Sequence, residues 1–567
     1  MLLFISCDDF LSDTSEADLY KPEEVYSDPA RSEGVLLYAY TNMPNQSYSY
    51  FEDIATDDMV TNVVNFDMTR VALGEWSKTF SPSPYLNNYN KVYNVIIHIN
   101  DFLEHVNDVK WNEDPELNEL YIKRLSGEAY GLRAWYYAEL LRHFGGLSSD
   151  GRLLGFPLVL GQITSLEEGQ LPRNTYKECV EAIYADCDKA IQNLPLKWTD
   201  EGLTADQKLI EGSIYTGRIN AITVMALKSR VALIAASPAF SKSGFTMNEA
   251  AQYAADVMAA NNGLSNLNSK DLDYYAHSTD RDYMLSQNEI FWASSYTDNS
   301  ALEEQNFPPV YFGKGMINPS QNFVDCFSDI NGIPISDPNA TFSYSDPYSN
   351  RDPRLAYNVL YDGALFGGKQ INIRKNVDNN AINKLTTSTR TGYYLRKYLD
   401  FNTAPIPPLT KFTNTKHIAV YSRYTEVLLN FAEAATIVGG KNFTVSSNGM
   451  SFTPLEVINA IRTRAGILST SYADGVDDSQ FLELVKNERR IELFFEGYRF
   501  WDLRRWSTQD NLVTELNESV NGMNISYDRT SYKKFEVEPR VFKSYQIYCP
   551  IPDNETRKYD IIQNIGW

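Results

Sequence analysis

An apolar helical face that contains two carboxylates constrains the fold most strongly. A projection at about 100° per residue places Glu488 and Glu492 in the middle of a face whose apolar members are Phe481, Leu484, Val485, Ile491 and Phe495. Carboxylates in such a face must be paired or hydrogen-bonded to stay ionised. We therefore expect buried ion pairs, with Gly497 ending the helix. Arg133 and Arg230, on small-residue faces of earlier helices, are the expected partners.

The same two glutamates have an alternative interpretation as the acid/base pair of a glycosidase. Neighbouring arginines lower the pKa of a carboxyl group, which disfavours a general acid. We therefore favour a structural role for Glu488 and Glu492.

Apolar residues at spacings of three and four predict a mainly α-helical chain with long irregular excursions. The excursions, 42–88 and about 294–415, are rich in Tyr, Asn, Gly and Pro, with a few short strand-like runs such as Tyr393–Leu395. Small residues on several helices, as at Ala129–Ala134, suit closely packed hairpins of the tetratricopeptide type. The predicted helices cover roughly 90–106, 117–144, 175–193, 218–237, 247–261, 419–438, 454–465 and 479–496.

Charge and composition exclude several classes of protein. A formal net charge of −22 disfavours nucleic-acid partners, because such a chain repels phosphate. The arginine-rich run from Glu483 to Arg505 does not change this, since it holds six basic and five acidic residues. The sequence contains no Cys-x-x-Cys motif and no Cys/His cluster, so we predict no metal site, no cofactor and no disulfide framework. An aromatic content of 13%, much of it tyrosine, suggests rings at the surface.

The first residues resemble the end of a bacterial lipoprotein signal. The apolar run Leu2–Ile5, too short to span a bilayer, is followed by Ser6 and Cys7, and Cys7 would be the lipidated residue. The alternative is a fortuitous cysteine in a frayed terminus. We expect residues 1–20 to be a signal remnant and a tether.

One run carries a resemblance to a known family. Residues Glu488–Trp506 match the pattern ERRxELxFEGxRxxDLxRW almost completely, and the chain thereby resembles the SusD/RagB family of glycan-binding outer-membrane lipoproteins of Bacteroidota. The final residues depart from the usual family ending at Ile565 and Trp567. Further segments resemble the family in chain order: Cys7–Leu11, Glu128–Gly146, Gly217–Pro238, Asn350–Leu355, Arg423–Ala434, Ile461–Gly466 and Pro550–Trp567.

The resemblance implies a fold and a cellular role. It implies tetratricopeptide-like helical hairpins, expected at 21–270, packed against an irregular C-terminal part, 271–567, as one globular unit. It also implies a non-catalytic protein without a cofactor, lipid-anchored to the outer membrane and facing the cell exterior. Such proteins deliver an oligosaccharide to a TonB-dependent transporter of the SusC type.

The resemblance further implies that loops before the first long helix, and one in the C-terminal half, form the ligand platform. Sugars are held by aromatic rings and by planar polar groups. The stacking candidates are Trp76, Tyr85, Tyr296, Tyr311 and Phe312, and the candidates for binding sugar hydroxyls are Asp58, Asn88, Asn299 and Arg374. For each ring the alternative is a small core beneath a loop.

Three other functions stay open at this point. The protein could capture peptides, as a relative within the same family. It could be a helical glycoside hydrolase using Glu488 or Glu492. It could also be an interaction scaffold of helical hairpins that binds no small ligand.

Overall fold

The structure is a computed structural model that describes residues 22–43, 49–80, 85–163, 169–267, 288–295, 297–375, 377–405 and 411–567. The predicted lipidation site Cys7, the tether 1–20 and Tyr296 lie outside the described residues. Within the described ranges, none of the helices combines the length and the apolarity that crossing a bilayer requires.

Helices dominate the described residues, which confirms the predicted fold class. Every helix predicted from the sequence is present, with ends shifted by a few residues. In chain order the helices are α1 (Pro22–Tyr26), α2 (Pro29–Thr41), α3 (Asp67–Ala72), α4 (Tyr85–His105), α5 (Pro115–Phe144), α6 (Tyr176–Asn193), α7 (Ala205–Glu211), α8 (Ala221–Ala235), α9 (Met247–Ala260), α10 (Ala301–Asn306), α11 (Gln321–Cys326), α12 (Arg354–Asn358), α13 (Tyr424–Gly439), α14 (Pro454–Arg464), α15 (Ser471–Gly475), α16 (Asp478–Glu492), α17 (Arg499–Arg505) and α18 (Asp553–Thr556).

The strands are short and form two-stranded antiparallel sheets. The pairs are β1 with β6, β2 with β3, β4 with β12, β5 with β11, β7 with β10, β8 with β9, β13 with β14, and β15 with β16. Their bounds are β1 (Met59–Thr61), β2 (Gly146–Leu147), β3 (Leu153–Leu154), β4 (Ile290–Ala293), β5 (Thr297–Asn299), β6 (Ile317–Pro319), β7 (Val359–Leu360), β8 (Leu365–Phe366), β9 (Lys369–Gln370), β10 (Tyr394–Leu395), β11 (Thr415–His417), β12 (Val420–Arg423), β13 (Val445–Ser447), β14 (Met450–Phe452), β15 (Val520–Ile525) and β16 (Tyr532–Glu538).

Side-chain caps explain where several long helices begin. Thr175, Thr246 and Thr453 each accept a hydrogen bond from the backbone N–H three residues ahead, and the glutamate there accepts one from the threonine's backbone N–H. These reciprocal bonds satisfy donors that a helix end otherwise leaves unpaired. The starts of α6, α9 and α14 therefore follow directly from the local sequence.

Small residues allow the helices to approach closely. A Cβ atom added to Gly131 of α5 would lie 3.1 Å from side-chain atoms of both Ile219 and Val224. The helices α5 and α6 pack together, as do α8 and α9, and α13 packs on α9. The α9–α13 contact rests on buried alanines: Ala250, Ala251, Ala254, Ala255, Ala432, Ala434 and Ala435.

One hydrophobic cluster joins the N-terminal and C-terminal parts of the chain. It combines Ile222 and Ala254 with Phe431, Ile461 and Val485, which lie on the other side of position 271. The two parts therefore pack directly on each other, while a boundary at 270/271 stays a prediction.

The helix that carries Glu488 and Glu492 ends earlier than predicted. Its last residue is Glu492, and Leu493 is its C-cap. Phe495 has a φ of 57°, an uncommon value for a bulky residue, and Gly497 has a φ of 74°. The prediction that Gly497 ends this helix was wrong, because the helix has already stopped at Glu492. Phe495 and Gly497 then turn the chain through their left-handed backbones.

Candidate ligand-binding surface

The two excursions expected to form a ligand platform meet in the structure. Strand β1 pairs with β6, with Val60 opposite Asn318. Beyond β1, the Asn62 side-chain amide donates to the carbonyl oxygens of Lys314 and Gly315, at 2.8 and 2.9 Å. The segment around position 60 is thereby fixed beside the segment 312–319.

Apolar side chains are exposed where these segments meet. Phe312 is 52% exposed, and Val63, Val64 and Val310 are exposed as well. The backbone of Phe312 has a φ of 65°, a strained value for a phenylalanine of the kind that concentrates at functional sites. This backbone carries an aromatic ring that lies at the surface rather than in the core. We call this group, Val63, Val64, Val310 and Phe312, the apolar rim.

Two of the predicted stacking residues are buried, and their assignment is corrected. Trp76 is 2% exposed, and its ring packs against that of Trp567, with centroids 5.2 Å apart. Tyr311 is also buried, and its hydroxyl donates to the carbonyl oxygen of Phe366 at 2.6 Å. Both rings belong to the core, so neither offers a face to a ligand. Tyr85 begins α4, but its side chain lies outside the described residues, as does Tyr296.

Asp58 is also a structural residue rather than a ligand-binding one. Its buried carboxylate accepts a hydrogen bond from Arg490 Nε at 2.6 Å. The adjacent Asp57 accepts from Arg490 and Arg499, at 2.7 and 2.9 Å. Burial raises the pKa of Asp58, whereas Asp57, also buried, has its pKa lowered because both arginines face it. This cluster fastens the platform segment to α16 and α17.

The remaining polar candidates occupy separate places. Asn299 lies half-buried at the end of β5, and its Oδ1 accepts from the backbone N–H of Ala301 at 3.0 Å. Arg374 donates through Nη1 to the carbonyl oxygen of Tyr527 at 2.7 Å. Asn88 lies in α4, and its side chain is outside the described residues. Asn299 and Arg374 therefore bind different partners, and these hydrogen bonds do not connect them.

A cavity of about 430 Å³ lies beside the end of β4. Trp292, Ser294, Ser295 and Tyr421 line part of it. The rings of Trp292 and Tyr421 lie 4.8 Å apart between centroids. Open space therefore borders Ser294 and Ser295, directly after β4.

Glu488 and Glu492 form a buried ion-pair network, as expected. Arg354 contacts Glu488 and donates through Nη1 to Glu492 Oε1 at 2.8 Å. Arg464 donates through Nη2 to Glu492 Oε2 at 2.9 Å. All of these side chains are about 1% exposed or less. Buried carboxylates held by arginines in this way are not accessible to a saccharide substrate.

The predicted partners of this network were wrong. Arg133 pairs with Asp186 through two hydrogen bonds of 2.7 Å. Arg230 pairs with Glu426 through two hydrogen bonds of 2.5 Å. Both arginines do form buried or half-buried ion pairs, but with carboxylates of the helices directly facing them.

Metal and redox chemistry have no assembled site in the described part of the chain. No group of three or more His, Cys, Asp or Glu residues is arranged there to hold a metal ion. The cysteines it contains, Cys179, Cys187, Cys326 and Cys549, are free thiols.

Comparison with known families identifies the chain's relatives. The model of the SusD family matches residues 280–567, just over half of the chain. The chain belongs to the SusD family. A second model, described as "Starch-binding associating with outer membrane", matches residues 9–208.

Individual SusD-family proteins agree with this assignment. SusD-like protein P38 of Formosa agariphila is 22% identical over 473 residues, covering 78% of this chain and 75% of that protein. A SusD-like protein of Bacteroides fragilis superposes with a TM-score of 0.74 at 21% identity, covering 97% and 99% of the two chains. A laminarin-binding SusD-like protein superposes with a TM-score of 0.60 at 19% identity, covering 96% and 100%. The structural likenesses establish a shared fold.

Several residues of this SusD-family surface were not anticipated from the sequence. Asn62, Val63 and Val64 were not singled out, although two adjacent valines in an otherwise polar loop are an available signal.

Arg354 and Arg464, which lie in the core, were predicted only as parts of family motifs. The spacing of residues along the sequence does not indicate that they pair with Glu492.

Proposed function

We propose that this SusD-family protein captures an oligosaccharide at the cell surface and delivers it to a SusC-like TonB-dependent transporter. In this proposal it is anchored to the outer membrane through a lipid on Cys7 and faces the exterior. Support comes from the family assignment, from the family description that mentions the outer membrane, and from a relative described as laminarin-binding.

The exposed ring of Phe312 is the observation that carries the proposal. An aromatic ring can stack on the apolar C–H face of a sugar. Phe312 is held outward by a strained backbone, at the place where two excursions join. We assign Phe312 as the stacking residue, with Tyr85, Asn88, Tyr296, Asn299 and Arg374 as further candidates on the excursions.

The hydrolase alternative receives no support from the arrangement of Glu488 and Glu492. A general acid must reach the glycosidic oxygen within hydrogen-bond distance. Both side chains are about 1% exposed or less and are occupied by arginines. We therefore propose a binding protein without catalytic activity.

Isothermal titration calorimetry over a panel of oligosaccharides and peptides tests the proposal. We expect the wild-type protein to bind at least one saccharide, and Phe312→Ala to weaken that binding about 10-fold or more, because the stacked ring is lost. Tyr344→Ala is the matched control, since Tyr344 is another strongly exposed ring. Binding of peptides without any saccharide, or unchanged saccharide binding by Phe312→Ala, would contradict the assignment.

The delivery step is tested separately by affinity purification of the tagged protein from outer membranes. We expect a TonB-dependent transporter to co-purify in an amount comparable to the tagged protein. Recovery of the protein without any transporter would contradict delivery while leaving saccharide capture intact.

A further inference from the structure

Arg374 and Arg529 both face one buried carboxylate, that of Asp362. Asp362 is almost fully buried, and its Oδ1 accepts from the backbone N–H of Ile373 at 2.8 Å. Its Oδ2 accepts from Arg529 Nε at 2.7 Å, and Arg374 Nε lies 3.4 Å from the same oxygen. Two guanidinium groups therefore share one buried carboxylate.

The two guanidinium groups differ in how many of their donors are used. Arg374 donates through Nη1 to the carbonyl oxygen of Tyr527 and through Nη2 to Asn372 Oδ1, at 2.7 and 3.0 Å. In the described part of the chain, Arg529 uses only Nε in hydrogen bonds. An arginine carries five N–H donors and pairs well with planar or tetrahedral oxyanions. Arg529, with its side chain 38% exposed, thus retains its Nη1 donors for a ligand, whereas its Nη2 is buried beside Gly363.

The turn between β15 and β16 holds Arg529 in a defined direction. Arg529 has a φ of 60°, a value that non-glycine residues adopt rarely. Asp528 Oδ1 accepts from Ser526 Oγ at 2.7 Å and from the Thr530 N–H at 3.1 Å, which fixes the turn. A left-handed residue is a usual part of a hairpin loop, and here it sets the direction of the Arg529 side chain.

An exposed aromatic ring lies on the same turn. Tyr527 is 72% exposed, and the Arg374 guanidinium carbon lies 5.9 Å from its ring centroid. The arrangement therefore combines a flat apolar face with fixed cationic donors.

We propose that Tyr527 and Arg529, supported by Arg374, form a subsite for an anionic saccharide. In this subsite the sugar ring stacks on Tyr527 and its carboxylate or sulfate group accepts hydrogen bonds from Arg529. The proposal rests on saccharide binding, and it narrows the class of ligand to charged glycans. The net charge of −22 does not prevent this, because the field is screened within about 8 Å at physiological salt.

Calorimetry with three probes tests the subsite: oligogalacturonate for a carboxylate, a sulfated carrageenan oligosaccharide for a sulfate, and a laminarin oligosaccharide for a neutral glycan. We expect the wild-type protein to bind at least one anionic probe. Arg529→Gln should weaken that binding about 10-fold or more, because a charge-assisted hydrogen bond is lost. Tyr527→Ala should weaken it several-fold. Binding of the neutral probe should change less than about two-fold in either variant.

Arg557→Gln is the matched control, because it removes the same charge from a side chain that is 74% exposed and that, among the residues the structure describes, pairs only with Asp553. Its anionic binding should equal that of the wild type. If Arg529→Gln perturbs folding through Asp362, Tyr527→Ala still tests the subsite, since its ring makes no hydrogen bond in the described part of the chain.

The outcomes separate the subsite from the broader function. The subsite is wrong, while saccharide capture stands, if the wild type binds only the neutral probe. It is also wrong if Arg529→Gln and Tyr527→Ala bind the anionic probes as tightly as the wild type does. Failure of the wild type to bind either anionic probe overturns the subsite, and failure to bind any saccharide of the wider panel overturns the broader proposal as well.

Discussion

Replacing Arg354 by methionine should destabilise the fold more than any surface charge change. Arg354 is about 1% exposed and contacts Asp352, Glu488 and Glu492. Methionine fills a similar volume without the charge, so packing loss is small. The substitution therefore isolates the electrostatic role of the guanidinium group in the core.

The size of the effect follows from what remains around each carboxylate. Glu492 keeps Arg464 at 2.9 Å, whereas the nearest other arginine to Glu488, Arg462, is 4.0 Å away. Removing one partner of a buried ion pair destabilises a protein by about 3–5 kcal/mol. We expect Arg354→Met to lower the free energy of unfolding by about that amount, with Glu488 and Asp352, which both lose Arg354 as their direct ion-pair partner, responsible for most of it.

Urea denaturation followed by circular dichroism measures this change. The difference in free energy of unfolding is obtained from the shift of the midpoint and the slope. Arg557→Met is the matched control, because Arg557 is 74% exposed and pairs with Asp553 at the surface. Exposed pairs of this kind contribute about 0–1 kcal/mol. A loss below about 1 kcal/mol for Arg354→Met, equal to the control, would refute the buried-pair reasoning.

Three further predictions, which use five substitutions, test other parts of the structure by the same method. Burial raises the pKa of Asp53 well above its ordinary value, so ionisation of Asp53 opposes folding at pH values above the pKa of an unfolded aspartate. Asp53→Asn should therefore stabilise the fold by about 1–3 kcal/mol near pH 7, and this gain should shrink toward pH 4. No gain at pH 7 would contradict the burial of this carboxyl group. Gly127→Ala should destabilise the fold by about 1–3 kcal/mol through overpacking, because its added Cβ would lie 2.8 Å from Leu194 Cγ, whereas Gly34→Ala, with open space around its Cβ, should be neutral or stabilising by up to about 1 kcal/mol. Trp76→Ala should cost about 3–5 kcal/mol of stability and Phe312→Ala less than about 1 kcal/mol; the reverse order would show that the two rings have been assigned to the wrong environments.

The helical framework was largely predictable from the sequence because its causes are local. A repeat of 3.6 residues records which face of a helix is buried, and threonine–glutamate capping boxes mark where α6, α9 and α14 start. The end of α16 was not predictable in the same way. Phe495 adopts a left-handed backbone that its side chain disfavours, which tertiary contacts have to impose.

The burial of Glu488 and Glu492 was predictable, but their partners were not. Helical projection shows that a carboxylate lies in an apolar face and therefore needs a cation nearby. It does not show which arginine approaches, because Arg354 is 134 residues away along the chain. Arg133 and Arg230 instead form ion pairs with Asp186 and Glu426, respectively.

The candidate site shows the same limit at the scale of adjacent residues. Tyr311 and Phe312 are neighbours in one loop, yet the first is in the core and the second is at the surface. The two residues differ in backbone conformation, since Phe312 has a positive φ. Trp76 is likewise buried by a contact with Trp567, at the far end of the chain.

A crystal structure of the protein with the tightest-binding saccharide of the panel tests saccharide capture most directly. We expect a sugar ring to lie against Phe312, between the segment 62–66 and the segment 310–315, with Glu488 and Glu492 out of its reach. A saccharide bound elsewhere, with Phe312 left uncovered, would contradict the assignment of this surface.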